Sequence, residues 1–251
     1  MSGAGADSSR HPIFAPVIRL GMELNERHAR TLALPDFDVE ALERLRKAQI
    51  LVVGAGGLGT ATLPLLAAQE VGRLDIVDPD VVSITNLPRQ LLYSESECGE
   101  AKAPLAVARV QALNPHGKVR AFTERVDSEW LAERDEGYDL ILDCTDNFTT
   151  RVLLDEYCAA HHTPLVWGAV EEYTGQVTFL HGKRGIGLKD LFGELPKERP
   201  LAAGIYPPLV QVVGGIMAGE ALSWLALGTA SLDGVLCVYD AREVKMGRYE
   251  L

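Results

Sequence analysis

The sequence predicts an α/β fold, a mixed, mainly parallel sheet with helices on both faces. Three observations predict it. Short apolar runs rich in β-branched residues alternate with helical segments between residues 38 and 169, and that alternation builds parallel sheets. The first run, Gln49-Ile-Leu-Val-Val53, is continuously apolar after its first residue, as expected of a strand covered on both faces. Gly54, Gly56 and Gly59 then sit where this strand passes into a helix.

The elements follow in order. Residues 1 to about 16 are mostly small, polar and Pro-containing, and 1–20 are read as a flexible tail; residues 21–251 read as one domain, within the size range of a single core. Asp38 is placed to cap a helix reaching Lys47, with Ala41, Leu42 and Leu45 on one face. After the first strand and its glycines, a helix reaches Glu70 and carries Pro64, which removes one backbone bond. Leu74–Val77 is a strand ending at Asp78. Lys102–Leu113 is a helix stopped by Asn114-Pro115. Strands at 119–122, 139–144 and 164–169 enclose a helix at 147–160. After Gly175 the alternation ends, and residues 176–180 read as an antiparallel strand. The crossover loop, about 181–208, contains Lys183, Arg184, Lys189, Lys197 and Arg199; a loop of that length is functional or disordered. Pro208–Leu227 approaches the length of a membrane span, but Gln211, Glu220 and several glycines interrupt it, so it reads as a buried helix. A late strand covers 235–239.

Composition narrows the function classes. The balance of 24 basic and 35 acidic residues, net −11, argues against nucleic acid and anionic membranes as partners, since both need a basic surface. Cys98, Cys144, Cys158 and Cys237 form no CxxC pair, which fits a reducing compartment rather than a disulfide framework. The N-terminal residues contain no apolar signal segment. A cytoplasmic setting is expected.

Gly54, Gly56 and Gly59 form a G-x-G-x-x-G, with Asp78 at the end of the next strand. The first glycine permits a tight turn, the second lets a phosphate approach the backbone, and the third lets helix and strand pack closely. The helix N-terminus supplies N–H donors, and Asp78 can accept bonds from ribose hydroxyls. A Rossmann-like nucleotide site follows, but this motif does not choose between a dinucleotide and ATP.

Three further segments bear on that choice: Asp78-Pro-Asp80 followed by Ile84–Gln90, then Gly99–Lys102, then Asp143–Asn147 followed by Thr150-Arg151. With Arg27 and Arg30 upstream, the chain carries in order R-x-x-R, GxGGLG, D-x-D, N-L-x-R-Q, G-x-x-K and D-x-x-D-N. It resembles the MoeB/ThiF/HesA family of adenylyltransferases, relatives of ubiquitin-activating enzymes, over residues 25–250. The resemblance implies ATP-dependent adenylation of the C-terminal glycine of a small ubiquitin-like or sulfur-carrier protein ending in Gly-Gly. It also implies Mg²⁺, a homodimer and a possible sulfur-donor protein.

The residue types suit that chemistry. A carboxylate attacking a phosphate needs cations and positioning more than a base. Arg89 and Lys102 would neutralise the triphosphate, Asp146 would hold Mg²⁺, and Asn86 and Gln90 would orient phosphate or ribose. The resemblance adds Gly57, Asp80, Thr85, Leu87, Pro88 and Asn147 to the nucleotide contacts, and sends Arg30 to the partner subunit's triphosphate. Plainer roles compete: Arg89 as a surface ion-pair residue, Lys102 as a solvated helix residue, Asp146 as a helix cap.

The chain also departs from the family. Many relatives carry two CxxC pairs that bind zinc; here no cysteine follows His181 until Cys237, so no zinc is expected and packing should hold that segment. The loop cysteine that takes the carrier falls near Pro200, leaving an external sulfur donor or amine to attack. Cys144 reads as a buried structural thiol. The missing cysteines also raise the alternative of a degenerate ATP-binding partner or scaffold. A third reading, a nicotinamide-dependent dehydrogenase, leaves Asn86–Gln90 and Asp146 unexplained.

Overall fold

The computed structural model describes residues 26–134, 137–194 and 204–251; the expected tail at 1–20 and Pro200 lie outside the described residues. The strands are β1 (Gln49–Val53), β2 (Arg73–Val77), β3 (Lys118–Phe122), β4 (Leu140–Asp143), β5 (Leu165–Glu171), β6 (Thr174–Leu180), β7 (Val235–Asp240) and β8 (Lys245–Glu250). They form one sheet in the order β3-β2-β1-β4-β5-β6-β7-β8. The first five are parallel and the last three join antiparallel. Order reverses after β1, which leaves a crevice at the carboxyl ends of β1 and β4.

The helices are α1 (Val39–Lys47), α2 (Gly57–Ala68), α3 (Lys102–Leu113), α4 (Ser128–Glu133), α5 (Phe148–His161), α6 (Leu188–Phe192) and α7 (Pro207–Leu227). Asp38 caps α1 through a 2.7 Å bond from the Ala41 N–H. Pro64 lies inside α2 as expected. The long apolar segment is α7, which packs against α1, α2, β5 and β6. Its Leu209, Val213 and Met217 join Ile50, Val52, Leu142 and Phe179 in the larger core. The second core, on the other sheet face, gathers Leu51, Ile141, Leu154 and Trp167. Burying apolar residues on both faces of β1 explains its unbroken apolar run.

Three elements went unread in the sequence: α4, α6 and β8. The two helices have only six and five residues, too short for periodicity to announce them. Strand β8 reads Lys-Met-Gly-Arg-Tyr-Glu and is largely exposed; as an edge strand it needs no apolar run. Packing holds the segment after β6, with Leu188 buried in the second core and Ile186, Leu191 and Phe192 against it. Polar contacts add to it: Asp233 accepts the Lys183 N–H at 2.9 Å, His181 Nε2 lies 2.6 Å from Asp155 Oδ1, and Lys183 Nζ donates to the Gly228 carbonyl at 2.7 Å.

Asp75 is a charged residue inside a central strand, fully buried. Its register partner on β3 is Arg120, which donates to it at 2.6 and 2.8 Å, and the Tyr138 hydroxyl donates at 2.8 Å. Arg120 and Tyr138, with the charge of Arg73, hold the Asp75 carboxyl below its usual range despite burial. A depressed folded value stabilises the protein above about pH 4, the unfolded value, and that contribution is lost as pH falls through the lowered value. Asp75→Ala should cost ~2 kcal/mol, because it strands a buried tyrosine hydroxyl while the arginines rehydrate. Urea melts at pH 7 and pH 3 check this: the wild-type advantage should shrink at pH 3.

Candidate nucleotide site

A cavity of about 750 Å³ opens at the carboxyl ends of β1, β2 and β4. Its glycine wall is built by local necessity. Gly54 has φ +97°, and a Cβ there would meet the Cys144 carbonyl oxygen at 2.7 Å. A Cβ on Gly59 would lie 2.1 Å from the Gly54 carbonyl oxygen, so this position lets α2 pack directly on the turn. Gly56 differs, since a Cβ there would meet only Gln90 Nε2, at 3.4 Å; its backbone is open to an incoming group. Gly56, Gly57 and Leu58 line the cavity, and no side chain caps α2. Its first N–H donors therefore lack a capping side chain, the arrangement that favours phosphate.

The turn is clamped at Ala55. Asp78 Oδ2 accepts the Ala55 N–H at 2.7 Å, and the Tyr93 hydroxyl donates to the Ala55 carbonyl at 2.7 Å. Asp78 Oδ1 also accepts the Asp80 N–H at 2.8 Å. Asp78 thus shapes the loop as well as lining the cavity, and burial pushes its carboxyl up. Tyr93 was not singled out in the sequence; nothing local marks a tyrosine three residues after Gln90 as a loop clamp.

Arg89, Lys102 and Asp146 come from three separate segments and all line this cavity, with Asp80, Gln90 and Asn147. Lys102 is buried, and its Nζ lies 3.0 Å from Asp80 Oδ2. It opens α3, where a cation works against the helix dipole; local rules are broken in this way at functional sites. Arg89 donates to the Thr85 carbonyl at 3.0 Å. Asn147 caps α5 through the Thr150 N–H at 2.9 Å, so the capping role proposed for Asp146 belongs to its neighbour.

Several expected contacts are not brought to the cavity. Gly59 is taken up in packing. Thr85, Asn86, Leu87 and Pro88 do not line the cavity; Asn86 Oδ1 instead accepts the Ser83 N–H at 3.3 Å and closes a short turn. Arg30 is exposed and also lies off the cavity. The turn before it is docked by Arg27 on the last carbonyls of α2 and α3, Ala68 and Leu113. Conversely, Arg125, Asp127, Thr145 and Arg151 line the cavity without having been assigned there. Cys144 lies at its wall and is buried, with desolvation pushing its thiol up, which suits a structural residue rather than a nucleophile.

The residues present fit a nucleotide. Gln90 Oε1 is buried with no hydrogen-bond partner among the described residues, so a ligand hydroxyl or amine would satisfy it. They also fit magnesium carried on phosphate. Asp146 is exposed to the cavity, and no cluster of three His, Cys, Asp or Glu able to hold a metal occurs among the described residues. A hard cation here would take one protein carboxylate and complete its shell with phosphate oxygens and water.

The model described as the ThiF family matches residues 28–251. The chain belongs to the ThiF family. A Thermus thermophilus protein named sulfur carrier protein adenylyltransferase is 41% identical over 227 residues, 87% of this chain and 84% of that one. The Escherichia coli molybdopterin-synthase adenylyltransferase is 36% identical over 230 residues, 88% and 92% of the two chains. Among solved structures, E. coli MccB with ATP matches this ThiF-family chain with a TM-score of 0.78 at 17% identity, over 90% of this chain and 72% of that one; that likeness is one of fold.

Proposed function

We propose that this protein adenylates the C-terminal glycine of a small ubiquitin-like sulfur carrier, using ATP and Mg²⁺ and releasing pyrophosphate. The observation that carries the reading is the convergence of Arg89, Lys102 and Asp146 on the cavity beside the glycine turn. A carboxylate oxygen of the carrier tail bonds to the innermost phosphorus as the bond to pyrophosphate breaks, so charge builds on the departing group. Arg89 and Lys102 meet that charge, the first with a two-pronged fork and the second as a point charge. The open backbone at Gly56 and the uncapped N–H donors at the start of α2 hold phosphate oxygens, and Gln90 and Asp78 take the ribose. Magnesium, when bound, supplies charge neutralisation on the phosphates. No general base is needed, since the attacking carboxylate is already ionised at neutral pH.

Arg30 serves a second copy of the chain in a homodimer, because it lies away from the cavity of its own. The acyl-adenylate passes to an external sulfur-donor protein. Four free cysteines agree with a reducing, cytoplasmic setting.

Purified protein should exchange labelled pyrophosphate into ATP only with Mg²⁺ and a carrier ending in Gly-Gly, and should lose exchange when that tail is truncated. Tight ATP binding with no exchange on any such carrier would favour the scaffold reading.

A further inference from the structure

Helix α5 carries Phe148, Arg151 and Asp155 at helical spacing on one face, directly after Asp146 and Asn147. The Arg151 guanidinium lies 5.2 Å from the ring centres of both Phe148 and Trp167. Phe192, the last residue of α6, meets those two rings edge-on at 5.5 and 5.7 Å. Arg151 is buried, and its Nη2 donates to the Thr145 carbonyl at 2.8 Å. Behind it, the buried Asp143 accepts both the N–H and the hydroxyl of Thr145, at 2.9 and 2.6 Å. Thr145, the residue that precedes Asp146, is thus gripped from both sides, by Arg151 on its carbonyl and by Asp143 on its N–H and hydroxyl.

Helix α6 is itself tied to the same face of α5. The Leu188 N–H donates to Asp155 Oδ1 at 3.0 Å, an atom that also receives His181. The five-residue helix is therefore seated at one end by Asp155 and at the other by its aromatic ring.

We infer that Phe192 is a positioning residue: it braces the Phe148 and Trp167 rings that box Arg151, and through the Arg151–Thr145 bond it fixes the loop that presents Asp146 to the cavity. The physical reason is desolvation. A guanidinium between aromatic faces and screened from water holds its carbonyl partner more strongly than a hydrated one. Opening the box admits water, which competes for the guanidinium and loosens Thr145. Supporting contacts of this kind typically change metal affinity by about 10–100-fold when lost. The proposal rests on the adenylation reading only in assigning Asp146 to magnesium; the coupling between α6 and the Thr145 loop stands on the geometry alone.

Two measurements test it. In hydrogen exchange, Phe192→Ala should speed the Thr145 and Thr150 amides while leaving β1 unchanged; Phe192→Tyr, which keeps the ring, should restore protection. In pyrophosphate exchange, Phe192→Ala should raise the Mg²⁺ concentration for half-maximal rate by about tenfold, with Phe192→Tyr near wild type. Unchanged amide protection in Phe192→Ala overturns the coupling, whatever the activity. Loosened amides with an unchanged Mg²⁺ requirement overturn the link to Asp146. If the wild type exchanges no pyrophosphate with any carrier, the adenylation reading fails separately, and amide exchange still decides the coupling.

Discussion

Asp146→Ala should lower carrier-dependent ATP–pyrophosphate exchange by about 10²–10³-fold while moving the urea midpoint little. The rate effect is that of removing one charged group aimed at the reacting phosphates. The small stability effect follows from its surroundings: Asp146 is exposed and accepts no hydrogen bond among the described residues. Substitutions at such places stay within about 0.5 kcal/mol. Arg89→Ala should show a rate loss of the same order, and Arg89→Lys should recover only part of it, because an ammonium cannot grip two phosphate oxygens at once. The informative measurement is the pair of rate and midpoint. Retained exchange in both alanine variants would remove these residues from the reaction. A large fall in midpoint would make their role structural.

Gly59→Ala is expected to unfold the site rather than weaken it. The added methyl carbon would lie 2.1 Å from the Gly54 carbonyl oxygen and 3.0 Å from the carbon bearing it. Both are backbone atoms, and Gly54 is already held in a left-handed conformation against Cys144. Neither neighbour can swing aside as a side-chain tip could, so α2 must back away from the sheet, at a cost on the order of 2–3 kcal/mol. Gly56→Ala is the matched control. Its methyl group meets only Gln90 Nε2, at 3.4 Å, so folding should hold while the methyl obstructs phosphate approach and raises the KM for ATP. Thermal melts and exchange kinetics on the two variants separate the roles. Equal stability of both would show that Gly59 is not a packing contact.

The two glycines illustrate how much of the site could be read in advance. The G-x-G-x-x-G spacing marks a turn followed by a helix because the conformational demands fall on neighbouring residues. The same locality made Asp38 and the apolar runs of β1 and β2 legible. The spacing cannot say that Gly56 faces open space while Gly59 faces a carbonyl, since that depends on how α2 lies on the sheet. Asn86 makes the complementary point. It sits in a motif that suggests ligand contact, yet its side chain closes a turn, a competition between backbone and ligand that only coordinates resolve. Tyr93 and Arg151 stayed without a role because their partners, Ala55 and the Trp167 ring, are 38 and 16 residues away.

The amino-acid order alone determined the layered architecture and the glycine turn, because periodicity and turn chemistry act over short stretches of chain, and the resemblance to the MoeB/ThiF/HesA family nominated the charged residues for a triphosphate. The folded arrangement decided which of those residues share one cavity, which are spent on clamping the turn, and that α6 reaches back to the loop beside Asp146. Those outcomes depend on long-range packing of strands and helices against two cores, and no stretch of chain short enough to read by pattern contains both ends of such a contact.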